Sequence, residues 1–184
     1  MKRKKQKIRE GAIIKIDISD NRVVFARQFS LDIGVYDFVS KNENLHSLEE
    51  IITKDIFCYC AIYDSIITSG IFEIIGNIPL TEAEIEKIPP KFHQELGNYK
   101  DCRIFWADGR ERKVWPEECV GLERSSVWGM DSLKERIQDY FSGKRNFDVE
   151  ISRVILYEDD PRYVARENGL KLKWDFEKRV FYVP

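Results

Sequence analysis

From Ala12 to Ile18 the apolar residues Ile14, Ile16 and Ile18 alternate with Lys15 and Asp17, the two-residue period of a strand with one buried face. A half-buried strand must find partners, and the next residues supply them. Ser19, Asp20 and Asn21 carry turn chemistry, Arg22 to Phe29 reads as the return strand, and Gly34 to Val39, rich in Val, Tyr and Phe, reads as a third. Three sequential antiparallel strands predict a small curved sheet or an SH3-like, partly open barrel, and so an α+β fold dominated by antiparallel pairing.

Ser47-Leu48-Glu49-Glu50 has capping-box spacing and predicts a helix over Leu48 to Thr53, followed by a strand from Ile56 to Tyr63. Ile71 to Ile75 reads as another strand, ended by Gly76-Asn77. Thr81-Glu82-Ala83-Glu84 repeats the capping box and begins a brief helix that Pro89-Pro90 must stop, which leaves Pro89 to Lys100 as a loop. Arg103 to Ala107 and Arg110 to Trp115 flank Asp108-Gly109, the pattern of a hairpin closed by a type I′ turn. An amphipathic helix follows, capped by Asp131 or Ser132, with Leu133, Ile137, Tyr140 and Phe141 on one face and Gly143 at its end; it should pack on the sheet. Val154 to Tyr157 reads as a strand, Glu158 to Pro161 as a break, and Leu170 to Val183 as a C-terminal hairpin turning near Glu177-Lys178. The expected organisation is a basic tail over residues 1–9, a domain over 10–157, and a hairpin extension over 158–184 packed on the same domain.

The length of 184 residues and the 43% hydrophobic content suffice for one filled core. The longest apolar stretch, Ile62 to Ile75, is interrupted by Asp64, Ser65, Thr68, Ser69 and Glu73, so no membrane helix is expected, and the lack of an apolar segment behind the basic start argues for the cytoplasm. Six cations, Lys2, Arg3, Lys4, Lys5, Lys7 and Arg9, precede every acidic residue; from Glu10 onward 24 Lys+Arg face 32 Asp+Glu, a formal charge of −8. Such a body attracts a basic protein surface and repels phosphate backbones.

Catalytic machinery is sparse. His46 and His93 are the only histidines, neither in an HxH or HExxH arrangement, and both sit in stretches where an exposed, silent histidine is expected. Cys58, Cys60, Cys102 and Cys119 lack zinc-site spacing and read as buried thiols; a Cys119 nucleophile paired with His93 is opposed by the neighbouring carboxylates. No metal and no cofactor is expected. The segment holding Trp106, Arg110, Arg112 and Trp115 offers the best case for nucleic-acid binding, by stacking and phosphate neutralisation; against it stands the reading of core aromatics with a wet cationic edge.

Several short words occur in a fixed order: Gly11-Ala12-Ile13-Ile14-Lys15-Ile16, Phe25-Ala26-Arg27-Gln28-Phe29, Ser69-Gly70 before a strand, Gly76-Asn77-Ile78-Pro79-Leu80, and then Pro116-Glu117-Glu118-Cys119, Gly121-Leu122-Glu123 and Val127-Trp128. Together they resemble the immunity protein 26 family of predicted antidotes to bacterial polymorphic toxins, over about Ile8 to Ile155. Similar proteins commonly carry Asp where this chain has Ala12. The resemblance implies a protein that neutralises a cognate toxin stoichiometrically; the sparse catalytic machinery predicts no chemistry of its own, and a monomer or homodimer is expected. Asp108, Glu158, Asp159, Asp160 and Trp174 are the expected contact residues. Some relatives bear a phosphotriesterase-related name, so a metal-dependent phosphoester hydrolase is the first alternative and a nucleic-acid-binding adaptor the second.

Overall fold

The structure, a computed structural model, describes residues 5–41, 46–178 and 180–184. The protein is α+β, with mostly antiparallel strands in small open sheets, short helices and, among the described residues, no closed barrel. Its chain separates into two compact units, Met1–Ile88 with Ser126–Lys144, and Pro89–Ser125 with Arg145–Pro184.

The first unit is built on a six-stranded sheet. Strands β1 (Ala12–Ser19), β2 (Arg22–Gln28), β3 (Ile33–Lys41) and β4 (Ile56–Ile62) form the expected antiparallel meander, flanked by β5 (Glu73–Asn77) on β1 and by a short parallel strand, Val127–Trp128, on β4. The β1–β2 connection is the hairpin whose two central residues both adopt positive φ, Asp20 at 51° and Asn21 at 58°, a conformation that Asn and Asp tolerate better than other side-chain-bearing residues. Register shifts on β1, β2 and β3 bend the sheet. Ile13, Val23, Phe25, Tyr36 and Ile51 form a buried cluster on it.

Three short helices decorate this sheet: α1 (Leu48–Ile51), α2 (Asp64–Thr68) and α3 (Glu82–Glu86). Ser47 Oγ accepts the Glu50 N–H to start α1, and the capping box expected at Thr81 and Glu84 starts α3. Helix α2 was not legible, because Tyr63 before it lends no side-chain cap. The longest helix, α4 (Met130–Phe141), lies on the sheet as expected: Phe57 of β4 stacks on Tyr140 at 4.0 Å, and Gln138 Nε2 donates to Ile18 O at 2.8 Å. Its N-cap is Gly129, not Asp131 or Ser132. Its end follows the sequence, with Gly143 at φ 67° and paired bonds from Gly143 N–H to Tyr140 O and from Lys144 N–H to Asp139 O. Of the expected basic tail, residues 1–4 lie outside the described residues, while Gln6 is tied by its amide to Ile67 O, Phe72 O and Ile74 N.

The second unit departs more from expectation. Residues 91–94, placed in a loop by the sequence, form β6 (Lys91–Gln94), which pairs with β7 (Cys102–Phe105) and with a two-residue parallel strand at Glu123–Arg124; β7 continues to β8 (Glu111–Val114). Two prolines stop a helix but permit a strand immediately after them. The hairpin at Asp108-Gly109 is present, yet only Gly109 has positive φ (85°). Gly109 N–H bonds Trp106 O and Trp106 N–H bonds Arg110 O, so the turn ends in a glycine bulge and is not type I′. Residues 154–157 make no strand. Instead helix α5 (Phe147–Ile151), capped by Asn146, precedes them, and the expected break at Glu158 to Pro161 starts α6 (Pro161–Glu167), with Asp160 as its cap. The C-terminal hairpin forms from Lys173–Asp175 and Val180–Tyr182. Phe92, Cys102, Ile104, Val114, Cys119 and Val154 fill this unit's core.

Candidate binding site

Gly11, Arg27 and the Gly76–Leu80 word, far apart in sequence, converge at one clasp in the first unit. Gly11 has φ 80°, and a Cβ there would lie 2.1 Å from Ile78 O. The close approach lets Ile78 N–H donate to Gly11 O at 3.0 Å, while Asn77 Nδ2 donates to Glu10 O at 2.9 Å. Ile78 O and Pro79 O each accept from Arg27 Nη2 at 2.9 Å. The turn word is therefore a bracket for a buried arginine. Glu84, placed by the capping box of α3, pairs with Arg27 Nη1, and its second oxygen accepts from Thr81 N–H and Oγ at 2.8 Å each.

Beside this pair opens a cavity of about 410 Å³. Arg27, Tyr36, Tyr59 and Glu84 contribute polar groups, Lys54, Asp55 and Lys87 charges, and Phe29, Ile52 and Ile56 apolar wall. Arg27 is 1% exposed, and its Nε–H has no hydrogen-bond partner. Burial pushes the Tyr36 phenol up to about 12 against the opposing charge and hydrogen bond of Arg27, and burial, helped by Glu84, raises Tyr59; both hydroxyls keep their protons at neutral pH. Glu84 is moved the other way. Partial burial would raise it, but the Thr81 hydrogen bonds and the Arg27 charge outweigh that and hold it ionised below the usual range. The pocket thus sets an enclosed arginine charge and two protonated phenols beside a carboxylate engaged by Arg27 and Thr81.

The expected contact residues all fall in the second unit. Asp108 sits at the hairpin tip and is bound to Arg110 at 2.5 Å. Asp160 is a helix cap whose carboxylate accepts from the Arg162 N–H and guanidinium, which hold it ionised against the effect of burial. Glu158 and Asp159 are exposed in the turn before it. Trp174 is half-buried, with Phe181 at 4.5 Å. This unit carries 15 Lys+Arg against 15 Asp+Glu, so the −8 of residues 10–184 falls in the first unit, where the six cations of residues 1–9 reduce it to a net −2.

The cationic edge proposed for nucleic acid is self-neutralised. Arg103 pairs with Glu111, Arg110 with Asp108, Arg112 with Glu118 and Lys113 with Asp101. Trp106 packs against the second core with Arg110 over its ring, whereas Trp115 is 64% exposed, which corrects the reading of both as core.

His46 corrects a second expectation. Its side chain is 16% exposed and not solvated: Nε2 lies 2.7 Å from Ser40 Oγ, Nδ1 lies 3.2 Å from Glu50 Oε2, and the ring packs edge-on against Phe38. Such a Ser–His–Glu chain has the connectivity of a hydrolase triad, but Ser40 is 8% exposed and its hydroxyl also donates to Lys41 O at 3.3 Å. Neither the Arg27 cavity nor the shallow one beside the Asp20 turn is lined by these residues. His93 is 45% exposed beside Glu95. All four cysteines are buried and unbridged; burial, then Cys102 and Glu118, pushes the Cys119 thiol up to about 12. Among the described residues no group of three or more His, Cys, Asp or Glu could hold a metal ion, and no helix is long and apolar enough to cross a membrane.

Comparison with protein families matches residues 9–103, just over half of the chain, to immunity protein 26. The match spans the clasp and the Arg27 pocket and ends before the Pro116–Trp128 word. Neither curated proteins nor solved structures yielded a match. Matched over more than half of its length, with Gly11, Arg27 and Ile78 inside the matched region, the chain belongs to the immunity protein 26 family.

Proposed function

We propose that the protein binds and neutralises a cognate bacterial toxin domain in the cytoplasm by stoichiometric occlusion, as part of a polymorphic toxin system. One observation carries the choice of surface: beyond the basic start at residues 1–9, the unit that holds most of the family-matched residues has 17 Asp+Glu against 9 Lys+Arg. That unit steers a basic toxin surface into encounter, and a standard interface of roughly 1,600 Å² then covers the toxin's active site. Glu158, Asp159 and Trp174, in the second unit, are a separate candidate contact, while Asp108 and Asp160 hold local structure. Co-expression with a toxin encoded beside it tests the reading. Rescued growth and co-purification are expected; neither occurring would refute it.

The hydrolase reading rests on the Ser40–His46–Glu50 chain instead of a metal. A fluorophosphonate probe that labels Ser40, lost in His46→Ala, would support it; an unlabelled Ser40 would leave the triad a structural brace for α1.

A further inference from the structure

We propose that the cavity beside Arg27 is a binding site for a single carboxylate carried on a short apolar body. Its polar inventory fixes the sign of the ligand. Arg27 is 1% exposed, yet its Nε–H lacks an acceptor although Nη1 and Nη2 are both engaged. The Nε atom itself is enclosed, so the cavity meets Arg27 as a positive charge at its wall and not as a reachable donor. Tyr36 and Tyr59 line the same space with protonated hydroxyls.

Charge fixes the valence. Arg27 and Glu84 cancel, and Glu84 has no need of a further cation because Thr81 fills its second oxygen. Of the remaining charged groups, Lys54 and Lys87 exceed Asp55 by one positive charge. That suits one negative charge and disfavours a dianion set beside the ionised Glu84. Phe29, Ile52 and Ile56 provide the wall for the apolar part, and about 410 Å³ accommodates a small acid or one side chain.

Two sources present this chemistry, a free organic acid and an acidic side chain of a bound partner. The inference stands on the pocket alone, and it deepens the toxin-binding reading only if the second source is the occupant. The test is a titration of the isotopically labelled full chain with sodium benzoate at constant ionic strength, and separately with a short neutral-ended peptide carrying one glutamate. Benzamide is the uncharged control.

The expected result is saturable shifts of the Arg27 Nε–H and of backbone amides at Tyr36 and Tyr59, with binding at least about tenfold weaker in Tyr59→Phe and in Lys87→Glu. Lys134→Glu, at the other cavity, should leave affinity unchanged. Benzoate alone saturating identifies a free acid; the peptide saturating identifies a partner's side chain. No saturation by either, or equal binding of benzamide, overturns the proposal, and does so whether or not a toxin is captured.

Discussion

Arg27 and Glu84 lie 57 residues apart in the chain and pair inside the first unit, Arg27 almost wholly enclosed and the Glu84 side chain 30% exposed. A buried arginine that loses its anion keeps a charge it cannot shed, so Glu84→Gln should cost more than an ordinary surface pair. Arg27 retains two carbonyl acceptors and Glu84 is partly wet, which places the loss at about 2 kcal/mol, below the usual range for a fully buried pair. Urea unfolding of the two proteins at neutral pH measures it.

The same pair sets an acid dependence. The native Glu84 carboxyl titrates below its unfolded counterpart, so its stabilisation is present above the ordinary glutamate range and is lost as pH falls through the lowered native value. Unfolding curves from pH 7 to pH 3 should show the gap between the parent and Glu84→Gln narrowing with acid. A gap constant over that range would show that Glu84 does not titrate as described.

Gly11→Ala should destabilise by about 2 kcal/mol or more, since alanine must adopt positive φ and its Cβ would collide with the Ile78 carbonyl. The displaced carbonyl is one that holds Arg27, so the substitution should also perturb the pocket. Thermal unfolding together with the Arg27 Nε–H resonance reports both effects.

In the second unit Gln94 is 1% exposed and ties three segments together. Its amide donates to Tyr99 O and Ile155 O at 2.7 Å each, and its carbonyl accepts from Ile155 N–H at 3.0 Å and Arg124 Nη2 at 3.1 Å. Gln94→Ala leaves those groups buried without it, at a cost of about 3 kcal/mol. Denaturant midpoints check this, and hydrogen exchange at Ile155 should accelerate.

These elements mark what the sequence could reveal. β1 and β2 were legible because their alternation and the Asp20-Asn21 turn are local signals, and α4 because its stripe and Gly143 are local too. The short strand β6 was hidden: Lys-Phe-His-Gln has no period of its own, and its burial comes from β7 and from Glu123–Arg124, contacts remote in sequence. Asp160-Pro161 is equally a break and a helix start, and the downstream packing of Ala165 decides between them. The words around Gly11, Arg27 and Ile78 were visible as words. Their meeting, and the entry of Glu84 into the same pocket, was not, because a capping box announces a helix start and says nothing of a partner for its carboxylate. Acidic residues are likewise countable in a sequence but not placeable, and Glu158, Asp159 and Asp160 lie in a unit with no net charge.

The most direct measurement of the account is the residual activity of the neighbour-encoded toxin as purified immunity protein is added in known molar ratio. Stoichiometric occlusion predicts a linear fall that reaches its floor near equimolar protein, with the complex recovered intact. Neutralisation by a small fraction of an equivalent, increasing with time, would mean that the protein turns over a substrate and would contradict it.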